Sequence, residues 1–265
     1  MSNITRIGKI NFANVWPVFY RFPAGPFASE SIVYEMTPAQ LNRAILNDEI
    51  DMGFISSYAY LQNEELFELI PNLSISAHGT VSSILLFHDC PLEQLYSGRI
   101  ALADTSATSV HLLKILLEQY GAGSPQYVVS KPDLKLMFDE CKAEGALLIG
   151  DDAIRASFQA PTRYVTDLGE WWHRVTGHSM TYAVWAVRKS YAERNREKLV
   201  DITEQLSQSL QLGLRQIETL IRQATLTIGG DEMFWRRYYR QLCYTFGVIE
   251  QQGLQAYHEA LQVKS

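Results

Sequence analysis

An α/β architecture is what this sequence predicts, and three observations predict it. Short apolar runs alternate with segments of helical period through the first half of the chain. Polar clusters follow several of those runs, at Asn14, Ser56-Ser57, Thr105 to Ser109 and Asp151-Asp152. Residues 190 to 263 then read as almost wholly helical. Strand–helix alternation implies a mostly parallel sheet with helices on both faces, and ligands of such sheets bind beyond the carboxyl ends of the strands.

The elements follow in order. Arg6 to Phe12 (RIGKINF) is a first strand that ends at the turn Asn14-Val15-Trp16-Pro17, and Ser31 to Met36 (SIVYEM) is a second. Thr37-Pro38-Ala39-Gln40 starts a helix, with Thr37 as N-cap, Pro38 at the first helical position and Gln40 completing a capping box. Leu41, Ala44 and Ile45 share one face of it. Asp51 to Ile55 is the third strand, followed by Ser56-Ser57-Tyr58. Leu73 to Phe87 holds a fourth extended segment with SSILLF as its apolar end. Arg99 to Ala103 (RIALA) runs into DTSATS and the helix VHLLKILLEQYG, and Gln126 to Val129 precedes a helix over Pro132 to Glu144. Ala146 to Gly150 (ALLIG) leads to Asp151-Asp152. In the tail, Leu199, Ile202, Leu206, Leu210, Leu214 and Ile217 form one stripe, which suits packing on the first lobe or a dimer contact equally well.

Composition narrows the function classes. At 265 residues, 47% hydrophobic and 20% charged, the chain has ordinary globular composition for one large domain or two lobes. A formal net charge of −6 gives no basic footprint for nucleic acid. No run of eighteen or more apolar residues marks a membrane span, and the N-terminus has no secretory pattern, so a cytoplasmic protein is expected. Cys90, Cys141 and Cys243 are widely spaced and odd in number, unlike a disulfide framework or a CxxC metal set. The six histidines do not form a metal set by spacing, and neither GxGxxG nor GxxxxGK[ST] occurs. The expectation is therefore no metal and no nucleotide cofactor.

The strongest local chemistry is DTSATS, residues 104 to 109, at a strand-to-helix junction. Unpaired N–H groups and the macrodipole favour an anion there. One N-cap accounts for one hydroxyl, whereas Thr105, Ser106, Thr108 and Ser109 together make a donor-rich carboxylate site. Gly79-Thr80-Val81-Ser82-Ser83 allows close backbone approach and offers hydroxyls, a modest signal. From the residues themselves, Asn14 reads as a residue that stabilises its own turn, and Asp151-Asp152 suits a helix cap as well as a general base.

Several stretches in order then carry a resemblance: INFANVWP, GTVSSILLF, LADTSATSVHLLKILL, LLIGDDAI and DLGEWWHRVTGHSMTYAVWAVR. Together, over residues 6 to 188, they resemble the chorismate dehydratase family of the futalosine route to menaquinone. The last block is the most specific. The resemblance implies a fold like the type II periplasmic binding proteins: two α/β lobes, two crossover strands and a C-terminal helical segment. Residues 1–87 and 181–265 would form one lobe and 88–180 the inserted one, with SSILLF and TYAVWAVR as crossovers. The implied partner is a small dicarboxylate, chorismate, and the implied reaction needs no cofactor.

Residue by residue, Asn14 and Ser83 match the family's polar active-site positions and are expected to carry the chemistry. Thr105, Ser106, Thr108 and Ser109 would grip one carboxylate, Ser56 and Ser57 would line the pocket, and Asp151 matches the IGDxA stretch as a contact or a structural residue. The sequence departs from the family pattern at Phe12-Ala13, His78 and His178-Ser179. Trp171 and Trp172 are expected in the core rather than stacked on ligand, with Thr176-Gly177 bending the chain into the second crossover. Two other readings stay open: a non-catalytic solute-binding protein and the related 1,4-dihydroxy-6-naphthoate synthase.

Overall fold

The computed structural model describes residues 4–104, 107–159 and 162–263, in two mixed sheets with helices packed around them. The strands in chain order are β1 (Thr5–Ile10), β2 (Ser31–Met36), β3 (Met52–Ser56), β4 (Phe67–Ala77), β5 (Ile84–His88), β6 (Arg99–Ala103), β7 (Gln126–Ser130), β8 (Gly145–Ile149), β9 (Tyr164–Asp167), β10 (Met180–Arg188) and β11 (Leu242–Cys243). The six-stranded sheet runs β11-β4-β10-β3-β1-β2 and the five-stranded sheet β7-β6-β8-β5-β9.

Connection length explains the pairing. β1 pairs parallel with β2 and β3, across connections long enough for helical crossovers. The predicted capping box forms: Thr37 N–H donates to Gln40 Oε1 at 2.9 Å, and Gln40 N–H to Thr37 Oγ1 at 3.4 Å. β10 lies antiparallel between β3 and β4, and all of it but Arg188 is buried, which explains why MTYAVWAVR is apolar on both faces.

The chain leaves the six-stranded sheet after Ala77, enters the other at Ile84, and returns between Asp167 and Met180. Each crossing is thus a short segment next to a strand, and Ile84–His88 pairs wholly within the five-stranded sheet. The helix Leu168–Thr176 fills the return. Asp167 caps it, Gly177 ends it at φ 74°, and Trp171 and Trp172 are buried in the core. The Trp172 indole donates to Ser179 O at 3.0 Å, and its ring meets Tyr257 edge-on. Both tryptophans are core residues, as their setting suggested.

Four expectations need correction. The sheets are mixed rather than mostly parallel, because β10 returns antiparallel beside β3 and β5 pairs antiparallel with β8 and β9. Leu73 to Phe87 is two strands in different sheets, broken at Gly79 and at Ser82, which has φ 59°. The helix expected over Pro132 to Glu144 is present but shorter, as the wide π-helical segment Leu136–Glu140. The tail is interrupted by β11, which adds an edge strand to β4, and Leu214 of the expected stripe is exposed.

Candidate active site between the sheets

A cleft opens where the carboxyl ends of β1 and β3 face β5, β8 and the start of the helix Ala107–Lys114. It encloses about 560 Å³ of space between protein atoms, part of it open to solvent. Ile10, Phe12, Ile75, Val81, Ile84 and Ile149 make its walls apolar, and Asn14, Ser56, Ser83, Thr108, Ser109 and Tyr182 bring polar groups to it. A mostly apolar cleft with a few converging polar groups is the usual form of a small-molecule site.

Asn14 sits on the single turn Ala13–Val15, whose backbone is held from three sides. Ala13 N–H donates to Asp151 Oδ1 at 3.0 Å, Ala13 O accepts from the Tyr239 hydroxyl at 3.2 Å, and Asn14 O accepts from the Tyr244 hydroxyl at 2.8 Å. With its main chain so fixed, Asn14 lines the cleft, and its side-chain Oδ1 is buried and without a partner among the described residues. Ser83 is buried, and its hydroxyl makes a long contact to Val81 O at 3.4 Å and lies beside the Tyr238 hydroxyl. Tyr182 also lines the cleft, and its buried hydroxyl, beside Gly169, has no partner among the described residues. Unsatisfied buried polar atoms are costly, and two residues carrying them beside a third with only weak bonding, all lining one pocket, is the pattern of a site awaiting a ligand.

Electrostatics keeps these groups neutral. Burial, helped by the charge of Asp167, holds the Tyr182 phenol far above its ordinary range, so it acts as an O–H donor. Burial does the same for Tyr238, whose unpartnered hydroxyl faces Ser83; that neighbour lowers it slightly and the charge of Asp151 raises it. Burial raises Asp151 to about 6, against the lowering pull of Ala13 N–H and Arg155 and with a further rise from Asp152.

Asp167 ties the two crossings together. Its carboxylate accepts from Val81 and Ser82 N–H on the first crossing and from Gly169 and Glu170 N–H at the helix start on the second. Ser82 Oγ also donates to Gln241 Oε1 at 2.8 Å, anchoring this strained residue to the tail.

The other sequence-chosen residues divide. Thr108 and Ser109 line the cleft, but Thr108 Oγ1 already accepts from Tyr58 N–H at 2.9 Å across the cleft. Ser56 also lines it, with its hydroxyl capping the helix Ser57–Leu61 and accepting from Asn42 Nδ2 at 2.9 Å. Ser57 is fully buried and donates to Thr181 O at 2.6 Å, away from the cavity. Asp151 holds Ala13 and does not line the cleft. Thr105 and Ser106 lie outside the described residues.

Sequence reasoning overlooked Tyr182 and the tyrosines of the tail. Their signal was present: the aromatic run FWRRYYRQLCYTF holds Tyr238, Tyr239 and Tyr244 in an otherwise amphipathic tail. Stacking of Tyr58 on His111, with ring centroids 3.7 Å apart and 10° between planes, is another contact across the cleft mouth that no spacing announced.

Two α/β sheets joined by two crossings, with polar groups converging in the cleft between them, define a protein of the periplasmic-binding-protein fold class. Solved structures agree: a protein of Archaeoglobus fulgidus matches with TM-score 0.76 at 17% identity, over 96% of this chain and 95% of its own. The periplasmic aliphatic sulphonate binding protein SsuA of Escherichia coli matches with TM-score 0.64 at 15% identity, over 97% and 87%. At the sequence level, the family model described as menaquinone biosynthesis matches residues 5–262. A chorismate dehydratase of Thermus thermophilus is 32% identical, covering 96% of this chain and 94% of the relative. The chain belongs to the menaquinone biosynthesis family.

Proposed function

We propose that the chain is a chorismate dehydratase, a hydro-lyase that converts chorismate to 3-[(1-carboxyvinyl)oxy]benzoate and water in the cleft. The observation that carries this reading is the meeting of Asn14 Oδ1, the Ser83 hydroxyl and the Tyr182 hydroxyl in one apolar pocket of a chain in this family. Relatedness to the Thermus thermophilus enzyme supplies the substrate.

The reaction asks little of the protein. The ring C3–H bond breaks and its electron pair enters the ring; the C4–O bond breaks and takes a pair away with the hydroxyl, which leaves as water after gaining a proton. The ring becomes aromatic, which drives the elimination. What remains is to hold two carboxylates, orient the ring and manage two protons. Asn14 and Ser83 orient the ring substituents, with Ser83 at the departing hydroxyl, and the neutral Tyr182 phenol is a ready donor beside them. Thr108 and Ser109, in the first turn of the helix Ala107–Lys114, take one carboxylate through the N–H groups of that turn and their hydroxyls, and Thr105 and Ser106, just before it in sequence, are proposed as further donors. In this reading the two sheets are the two lobes, and the crossings tied by Asp167 are the hinge about which the cleft opens.

Incubating purified protein with chorismate and following products by mass tests the proposal. Loss of one water is expected; unchanged chorismate with folded protein contradicts it. A second reading, a non-catalytic solute-binding protein, is favoured by the likeness to the sulphonate-binding fold. It predicts a raised melting temperature with chorismate and no product.

A further inference from the structure

Away from the cleft, three metal-ligating side chains meet that distant parts of the sequence contribute. His78 follows β4, Cys243 ends β11, and Glu250 lies in the first turn of the helix Val248–Gln262. One ligand atom from each lies within 4.8 Å of the others. Glu250 Oε2 accepts from Gly247 N–H at 2.8 Å, which fixes the carboxylate. Its other oxygen, Oε1, sits 2.9 Å from His78 Nε2 and 3.3 Å from Cys243 Sγ. The Glu250 side chain is only 6% exposed, whereas His78 is 43% exposed and gives the cluster an open side toward solvent.

From this geometry we propose a binding site for a divalent transition-metal ion, zinc by ligand type, with His78, Cys243 and Glu250 as protein ligands and water as the fourth. Zinc takes these three ligand types tetrahedrally, at roughly 2.0 Å to nitrogen, 2.1 Å to oxygen and 2.3 Å to sulfur. Those bond lengths set the ligands about 3.4 Å apart for nitrogen and oxygen and about 3.6 Å for sulfur and oxygen. The spacings to Oε1 of 2.9 Å and 3.3 Å expand by up to about half an ångström, and His78 Nε2 and Cys243 Sγ, within 4.8 Å of each other, settle at about 3.5 Å. Binding releases the Cys243 thiol proton to solvent, and the metal replaces the hydrogen bonds that now converge on Oε1. The Gly247 N–H remains on Oε2 as an outer partner that orients the ligand, and the Thr245 hydroxyl, 3.1 Å from Sγ, steadies the thiolate. None of the three ligands lines the cleft. The ion would staple the start of the first crossing to the tail and stabilise the fold without entering the reaction.

Histidine spacing could not show the site, because its ligands come from a strand end, an edge strand and a helix start, with His78 and Glu250 172 residues apart.

The test is cobalt and zinc titration of chelator-treated full-length protein beside Cys243→Ser and His78→Ala. The wild type is expected to show a thiolate-to-cobalt absorption band and to retain one equivalent of zinc through gel filtration. With zinc a hundredfold above its Kd, its Tm should rise by roughly 5 °C. Cys243→Ser should lose the band, His78→Ala should bind at least tenfold more weakly, and both should keep wild-type turnover of chorismate. Should Cys243→Ser fail to fold, Glu250→Gln replaces it, since its amide oxygen can still accept from Gly247 N–H. Absence of the band in the wild type, or equal zinc retention by wild type and variants, overturns the site. Neither result depends on whether chorismate is the substrate.

Discussion

Asp151→Asn separates the charge of a buried carboxylate from its hydrogen bond. In the wild type the carboxylate accepts from Ala13 N–H while burial raises its pKa to about 6. An unfolded aspartate titrates near 3.9, so between about pH 4 and pH 6 the folded chain binds more protons than the unfolded one. Stability from this group therefore falls as pH rises through that window, and the loss is complete above it. Two units correspond to about 3 kcal/mol, and partial solvent access reduces this to about 1–3 kcal/mol. Asparagine keeps an acceptor for Ala13 N–H and carries no charge. Melting curves from pH 4 to 8 should show the variant about 3–8 °C more stable at pH 8, with the gap closing toward pH 4. Turnover should stay within a few-fold of wild type, because the Asn14 turn remains in place. A variant less stable than wild type at every pH would refute the electrostatic reasoning, and a rate loss of about 10²–10⁴ would make Asp151 the general base instead.

The remaining predictions concern the cleft. Ser83→Ala and Asn14→Ala should each lower kcat by about 10²–10³ with Tm nearly unchanged, since neither group is committed to a strong internal bond. Tyr182→Phe should lower kcat while holding or raising Tm, because it removes a buried hydroxyl that lacks a partner. Ser57→Ala should behave oppositely: a loss of about 1–2 kcal/mol in denaturant melts and an unchanged KM, since its hydroxyl holds Thr181 O. Gly150→Ala should hold the cleft apart and raise KM, because Gly150 has φ 59° and an added Cβ would lie 2.5 Å from the Phe12 ring across the cleft.

Local chemistry was the legible part of this fold. The Thr37 cap and Gln40 box, the strand at Ser31 and the buried Trp171-Trp172 pair follow from neighbours within four residues, and the structure shows them. Asn14, Ser83, Thr108 and Ser109 were all chosen from sequence, and the fold brings all four to one cleft. What stayed hidden depends on long-range pairing. Nothing near Ser57 reveals that its hydroxyl faces Thr181 of β10, and nothing near Ala13 reveals that Asp151 and Tyr239 grip it from both sides. The antiparallel return of β10 is equally invisible, since its apolar run fits a parallel strand as well.

Whether the cleft between the sheets removes water from chorismate is decided by one side-by-side measurement. Chorismate is incubated with the wild type and with folded Ser83→Ala and Asn14→Ala, without added cofactor, and the aromatic product is quantified by mass. Product lighter than chorismate by one water is expected from the wild type, with a hundredfold or greater loss in both variants. Unchanged chorismate with the wild type, or full turnover by both variants at unchanged Tm, would contradict this role for the cleft.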